Sequence, residues 1–201
     1  MQMAVDEALF VSATAPTLRF YRWRRSSLSF GYFGRFADVA AEAGEREVVR
    51  RWTGGGIVLH GNDLTYSLVL PASHFPPGIS ARTIYSAVHS ALAEALAGAG
   101  RIELSARDAP KVSEACFANP VTADVIADGR KIAGAAQRRT RSGLLQQGSV
   151  QFDALPVNFT ERFSAALCHR FERRELDVRL LHRAEAIAAE KYATAAWLHR
   201  H

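Results

Sequence analysis

The sequence predicts an α+β fold, and three observations carry that reading. A strand–turn–strand pattern lies in the first half, a three-stranded meander in the second, and amphipathic helices stand before, between and after them. No repeat, linker or low-complexity tract divides the chain, so residues 1–201 read as one domain.

In chain order, Met3–Val11 is the first helix, with Ala4, Val5, Ala8 and Leu9 at helical spacing. The aromatic-rich runs Leu18–Trp23 and Leu28–Phe33 are strands, bounded by Pro16 and Gly34. Phe36–Ala43 is a short helix stopped at Gly44, and Glu47–Arg51 is a strand. Gly56–His60 and Leu64–Leu70 read as a hairpin turning at Gly61-Asn62-Asp63. The longest helix runs from a Ser80 cap through Ile84, Val88, Leu92 and Leu96 to Gly98, and strand Arg101–Leu104 follows. Ser105–Asn119 lacks periodicity and reads as a long loop. Ala123–Ala127, an Asp128-Gly129 turn, Lys131–Thr140 and Leu144–Phe152 form the meander. Helices at Glu161–Phe171 and Arg183–Trp197 finish the chain.

Composition narrows the function. With 48% hydrophobic and 22% charged residues the chain has the make-up of a soluble globular protein. No apolar run reaches the roughly 18–20 residues that span a bilayer, and the acidic start is no secretory signal, which predicts a cytoplasmic protein without membrane contact. Two cysteines, Cys116 and Cys168, supply neither a disulfide framework nor a metal motif. The histidines have no zinc spacing, so no metal site is expected. The +5 charge lies in pairs such as Arg50-Arg51 and Arg138-Arg139, suiting either a solvated surface or an acidic partner. No nucleic-acid motif accompanies it.

Two segments carry chemistry. In Arg50-Arg51-Trp52-Thr53-Gly54-Gly55-Gly56 the glycines let the backbone lie against a ligand, although a bare tight turn accounts for them equally well. In Lys131-Ile132-Ala133-Gly134-Ala135-Ala136-Gln137 the small residues leave room for a ligand beside Lys131, whose plainer role is a solvent-facing hairpin lysine. Cys116 lies 15 residues before Lys131, and as a loop thiol it is either buried filler or a nucleophile. Cys168 falls among the apolar positions of its helix.

Taken together these segments resemble the lipoate/octanoate protein ligase and transferase family, related to biotin protein ligase. The match runs from Arg50–His60 through Asp63-Leu64-Thr65-Tyr66-Ser67 and Gly129–Gly134 to Leu145-Gln146-Gln147-Gly148-Ser149. The resemblance implies a biotin/lipoate protein ligase-like catalytic domain, with a mixed, largely antiparallel β-sheet flanked by helices. It implies transfer of an octanoyl or lipoyl group from an acyl carrier protein to a lysine of a lipoyl carrier domain, either the glycine cleavage H protein or a 2-oxoacid dehydrogenase E2.

Ala115-Cys116-Phe117 is similar to the cysteine-dependent octanoyltransferases, which implies a Cys116 acyl-enzyme, with Lys131 lowering the thiol pKa and polarising the carbonyl. Arg51, Thr53, Gly54, Gly55, Gly56, His60, Gly134, Ala135, Gln137 and Gly148 are then expected at the substrate. A transferase of this kind needs no cofactor; an ATP-dependent ligase, the competing chemistry, needs ATP and Mg. A non-catalytic acyl-binding module is the remaining alternative, suggested by Gln147 where the family usually has His. No C-terminal accessory domain is expected, and a monomer is.

Overall fold

The computed structural model describes residues 1–75, 78–110 and 116–200, with Cys116 described for its main chain only. Its elements are α1 (Gln2–Ser12), β1 (Thr17–Tyr21), β2 (Ser27–Phe30), β3 (Glu47–Arg50), β4 (Val58–His60), β5 (Leu64–Pro71), α2 (Ala81–Ala95), β6 (Ile102–Leu104), β7 (Val125–Ala127), β8 (Arg130–Thr140), β9 (Gly143–Val150), α3 (Phe159–Leu167), α4 (Val178–Ile187) and α5 (Ala195–Leu198). The α+β expectation holds.

The strands form two sheets. The larger has order β1-β5-β9-β8-β7-β6, antiparallel throughout; the smaller has order β3-β2-β4, with β2 parallel to β3 and antiparallel to β4. Turn chemistry explains the meander: Asp128 and Gly129 both take positive φ, 48° and 78°, as a tight hairpin of that type demands. Ser80 caps α2 as expected, accepting from the Thr83 N–H at 3.0 Å.

Alternation along β5 fixes the layers. Leu64, Tyr66 and Leu68 face α2 and α3 in the main core, together with Ile84, Val88, Leu92 and Phe163. Val69, next after Leu68 and of opposite phase, joins Val5, Leu9 and Leu145 under α1 and α4. Thr65 and Ser67 share the Val69 side of the strand, so a polar strip remains there.

Several expectations are corrected. β4 and β5 do not pair with each other but join different sheets. The Gly61-Asn62-Asp63 turn is a corner rather than a hairpin, because the Asp63 carboxylate folds back onto the Gly61 N–H and His60 Nδ1. Phe36–Ala43 becomes two 3-10 turns, Phe36–Asp38 and Ala40–Gly44. The helix expected at Glu161–Phe171 ends at Leu167, which leaves Cys168 exposed rather than apolar-packed. The last helix starts at an Asp177 cap and is broken by a π-turn at Ala188–Tyr192. Among the described residues no helix is long and apolar enough to cross a membrane.

Candidate active site

A slot lies between the two sheets. Ser29, Val58 and His60 line it from the smaller sheet, and Gly134, Ala135, Ala136, Gln147 and Ser149 from β8 and β9. The glycine loop is one wall, and it is held by its own backbone. Arg51 donates from Nη2 to the carbonyls of Gly54 and Gly56 at 3.0 and 2.7 Å, and from Nη1 to Ser29 Oγ at 2.7 Å. Gly55 takes φ +83°, and a Cβ on it would stand 3.0 Å from that of Ala136. Thr53 donates to Gln147 Oε1 at 2.8 Å, and Gln147 Nε2 donates to the buried Asp6 carboxylate of α1 at 2.6 Å. That carboxylate also holds Ser67 Oγ and Arg19. The loop is thereby moored to the first helix through a fully buried chain.

Behind the slot-lining Gly134 stands Lys131. Its ammonium lies over Gly134, where a Cβ would come within 2.8 Å of Nζ, and it is paired with Asp124 at 2.7 Å. Both are buried. Asp124 also accepts from Tyr85 Oη at 2.5 Å and from the Val121 N–H at 2.7 Å, while Tyr85 Oη accepts from the Ala135 N–H at 3.2 Å. Burial, and then the adjacent carboxylate, hold the Tyr85 phenol far above its ordinary range, so it stays a donor. The backbone here is irregular: a bulge separates Val125 and Ile126, and Ala123 takes φ +70°. His89 secures Ala123 by donating from Nδ1 to its carbonyl at 2.8 Å. Burial pushes the His89 pKa down to about 4, so the ring is neutral at pH 7, and its Nε2 is buried with no partner among the described residues.

The 3-10 turn Cys116–Ala118 packs against β8, with the Phe117 ring centred 5.5 Å from Lys131 Nζ. The Cys116 thiol lies outside the described residues, as do residues 111–115 of the expected loop.

The other end of the site is a hydrogen-bonded chain. Ser29 Oγ meets His60 Nε2 at 2.7 Å, and His60 Nδ1 meets Asp63 Oδ2 at 2.8 Å. The Asp63 carboxylate can only accept, so Nδ1 carries the proton, and in the neutral ring Nε2 accepts from the Ser29 hydroxyl. Burial lowers the His60 pKa in spite of Asp63, consistent with a neutral ring. Burial would raise the Asp63 pKa, but bonds from His60, Ser149 and the Gly61 N–H outweigh it and hold the carboxyl below its usual range. Trp23 stacks on the imidazole, with centroids 4.2 Å apart.

Of the residues expected at the substrate, Arg51, Gly55, His60, Gly134, Ala135 and Gly148 line the slot. Gly56 lines a second hollow behind the loop, and Thr53 acts through Gln147. A Cβ on Gly54 would meet nothing within 4 Å. Gln137 turns to Gln146, which bonds Tyr66 Oη, and so leaves the slot. Gly148 lacks a side chain for a packing reason: the Tyr66 ring occupies that space. Arg50 is no anion site, because its guanidinium donates to the carbonyls of Tyr32, Gly34, Leu198 and Arg200. Ser29, Asp63, Tyr85 and Asp124 were not anticipated; only the Asp63–His60 spacing of three could have drawn attention. Among the described residues no three His, Cys, Asp or Glu side chains gather as metal ligands.

Residues 1–176 match the lipoyl protein ligase A/B catalytic domain model. The chain belongs to that family. It is 38% identical over 161 residues to Octanoyltransferase LipM of Oceanobacillus iheyensis, covering 75% of this chain and 59% of that protein. To Octanoyltransferase LipM of Staphylococcus aureus it is 37% identical over 169 residues, covering 75% and 61%. The chain thus spans about 60% of the length of the curated relatives it matches. In fold it is similar to a bi-partite lipoate protein ligase of Thermoplasma acidophilum, with TM-score 0.70, 21% identity, and 98% and 89% of the two chains covered. LipL1 of P. falciparum in complex with lipoate is also similar, with TM-score 0.65, 12% identity, and 100% and 70% covered. Residues 177–200 lie beyond the family match, yet they supply two of the carbonyls that Arg50 holds, those of Leu198 and Arg200.

Proposed function

We propose that this chain is a cysteine-dependent octanoyltransferase that moves a medium-chain acyl group from an acyl carrier protein thioester to a lysine of a lipoyl carrier domain. One observation carries the reading: the Lys131 ammonium lies against the slot-lining Gly134, and the turn that begins at Cys116 packs against the same strand. The named octanoyltransferase relatives support it. Burying an eight-carbon chain at about 0.8 kcal/mol per CH₂ contributes roughly 5–6 kcal/mol, so the slot needs few polar contacts to hold it.

The Cys116 thiolate attacks the thioester carbonyl and expels the carrier thiolate, leaving an acyl-enzyme thioester. The Lys131 ammonium stabilises the oxyanion of each tetrahedral intermediate. The acceptor amine then attacks, an amide forms, and the amine proton leaves with the regenerated thiol. A thioester brings its acyl group already activated, so neither ATP nor Mg is required, and the reaction suits the cytoplasm. Gln147 keeps the loop moored to α1.

The test is intact mass after incubation with an octanoyl thioester. An octanoyl adduct labile to hydroxylamine and absent from Cys116→Ala is expected. No adduct, together with ATP–pyrophosphate exchange driven by lipoate, would replace the transferase with a ligase; neither activity would leave a binding module.

A further inference from the structure

Beside the glycine loop lies a surface the chemistry above does not use. Phe33 is 86% exposed, the most exposed aromatic side chain among the described residues. It stands edge-on to Tyr32, with centroids 5.0 Å apart, and Tyr32 carries two guanidiniums: Arg138 at 5.0 Å and Arg200 at 4.7 Å from its ring centre. Arg138 also stacks on Trp52 at 4.4 Å, and Lys191 lies 4.6 Å from the same ring. A hollow lined by Gly34, Arg35 and Gly56 adjoins Phe33.

The patch is under-neutralised. Arg138, Lys191 and Arg200 gather here, and among the described residues Glu7, on Lys191 at 2.6 Å, is the one carboxylate paired with the three. Burial, and beyond it repulsion from Arg138 and Arg200, lower the Lys191 pKa even though Glu7 opposes the shift. An incoming carboxylate would relieve that repulsion. The patch is also close to the slot. Arg138 is two residues along β8 from the slot-lining Ala136, hence about 7 Å away on the same face. Tyr32 is tied to the loop by its N–H to the Thr53 carbonyl at 2.8 Å.

We propose that Phe33, flanked by Arg138 and Arg200, is the docking surface for the acidic carrier domain that presents the acceptor lysine. The proposal rests on the transferase reading for its choice of partner. Charge selects the acceptor over the donor. An octanoyl thioester is neutral at its reacting end, whereas the acceptor lysine is a cation approaching a chain of net charge +5 and the Lys131 ammonium. Carboxylates flanking that lysine would offset the repulsion, and this patch is where they can pair. The apolar Phe33 gives such a contact an anchor inside a charged rim.

The experiment uses Phe33→Ser and Arg200→Glu, both on the surface and outside the acyl site, with two readouts. One is binding of the lipoyl carrier domain by fluorescence anisotropy at two salt concentrations. The other is adduct formation on Cys116 from octanoyl-CoA, which needs no carrier. Each variant is expected to weaken carrier binding by about tenfold or more, and Arg200→Glu to flatten its salt dependence, with adduct formation unchanged. Normal adducts with unaltered carrier binding would overturn the docking surface and leave the transferase intact. Weakened binding in a protein that never forms the adduct would leave the surface and remove the chemistry. Loss confined to loading from an octanoylated acyl carrier protein would hand the patch to the donor and overturn the assignment.

Discussion

The two ends of the site satisfy their buried charges in opposite ways. At the Lys131 end an ammonium and a carboxylate meet directly, on a bulged strand beside a residue at positive φ. At the His60 end Arg51 and Asp63 are separated by two neutral groups, Ser29 and His60, on regular strands. In the second arrangement the Ser29 proton and both imidazole nitrogens are committed, so that end is a wall. In the first, the proposed transfer asks the ammonium to be shared between Asp124 and a developing oxyanion. Irregular backbone and direct ion pairing coincide where chemistry is expected.

The sharpest way to break this contrast is Asp124→Asn, which leaves a buried ammonium without its carboxylate. It should destabilise the protein by about 3–5 kcal/mol in chemical denaturation, and Asp124→Leu with Lys131→Met should recover most of that while abolishing transfer. If Asp124→Asn costs no more than a surface change, the ion pair is not what organises this end. Next is pH. His89 has a folded pKa near 4, below the unfolded value of about 6.5, so its contribution is complete above pH 6.5 and is lost as pH falls toward 4. At about 1.4 kcal/mol per pH unit this amounts to about 3 kcal/mol, and His89→Phe should flatten the slope of stability measured between those limits. His60 adds loss in the same direction.

Ser29→Ala tests the wall by leaving His60 Nε2 and one Arg51 donor without their shared hydroxyl. A cost of about 1–3 kcal/mol is expected, with acyl transfer reduced through KM rather than kcat. A fall in kcat alone would make this end part of the chemistry. The smallest stability effect is Gly134→Ala, whose Cβ would lie 2.6 Å from Lys131 Cε. Moving a flexible tip should cost about 1 kcal/mol or less, yet displace the ammonium enough to lower the transfer rate; an unchanged rate would separate Lys131 from the reaction.

Local chemistry was legible in the sequence, and long-range pairing was not. The Asp128-Gly129 turn and the Ser80 cap state their geometry in the residues themselves. Gly61-Asn62-Asp63 has the composition of a hairpin turn, and only tertiary contacts show that the chain instead crosses from one sheet to the other. Lys131 stood out because small residues follow it. Its partner Asp124 did not, since a bulge and a turn must form before the two meet. Ser29 was invisible, 31 residues from the histidine it binds. Arg50 and Arg51 looked alike, yet one clamps the end of the chain and the other the glycine loop.

Gly31 was singled out by no pattern, yet a Cβ there would stand 2.1 Å from the Gly55 carbonyl oxygen and 2.7 Å from Gly54. Main chain rests on main chain at that crossing, with no side chain between. That crossing seats the β3–β4 glycine loop on the end of β2, so the position of this wall is fixed by main chain alone.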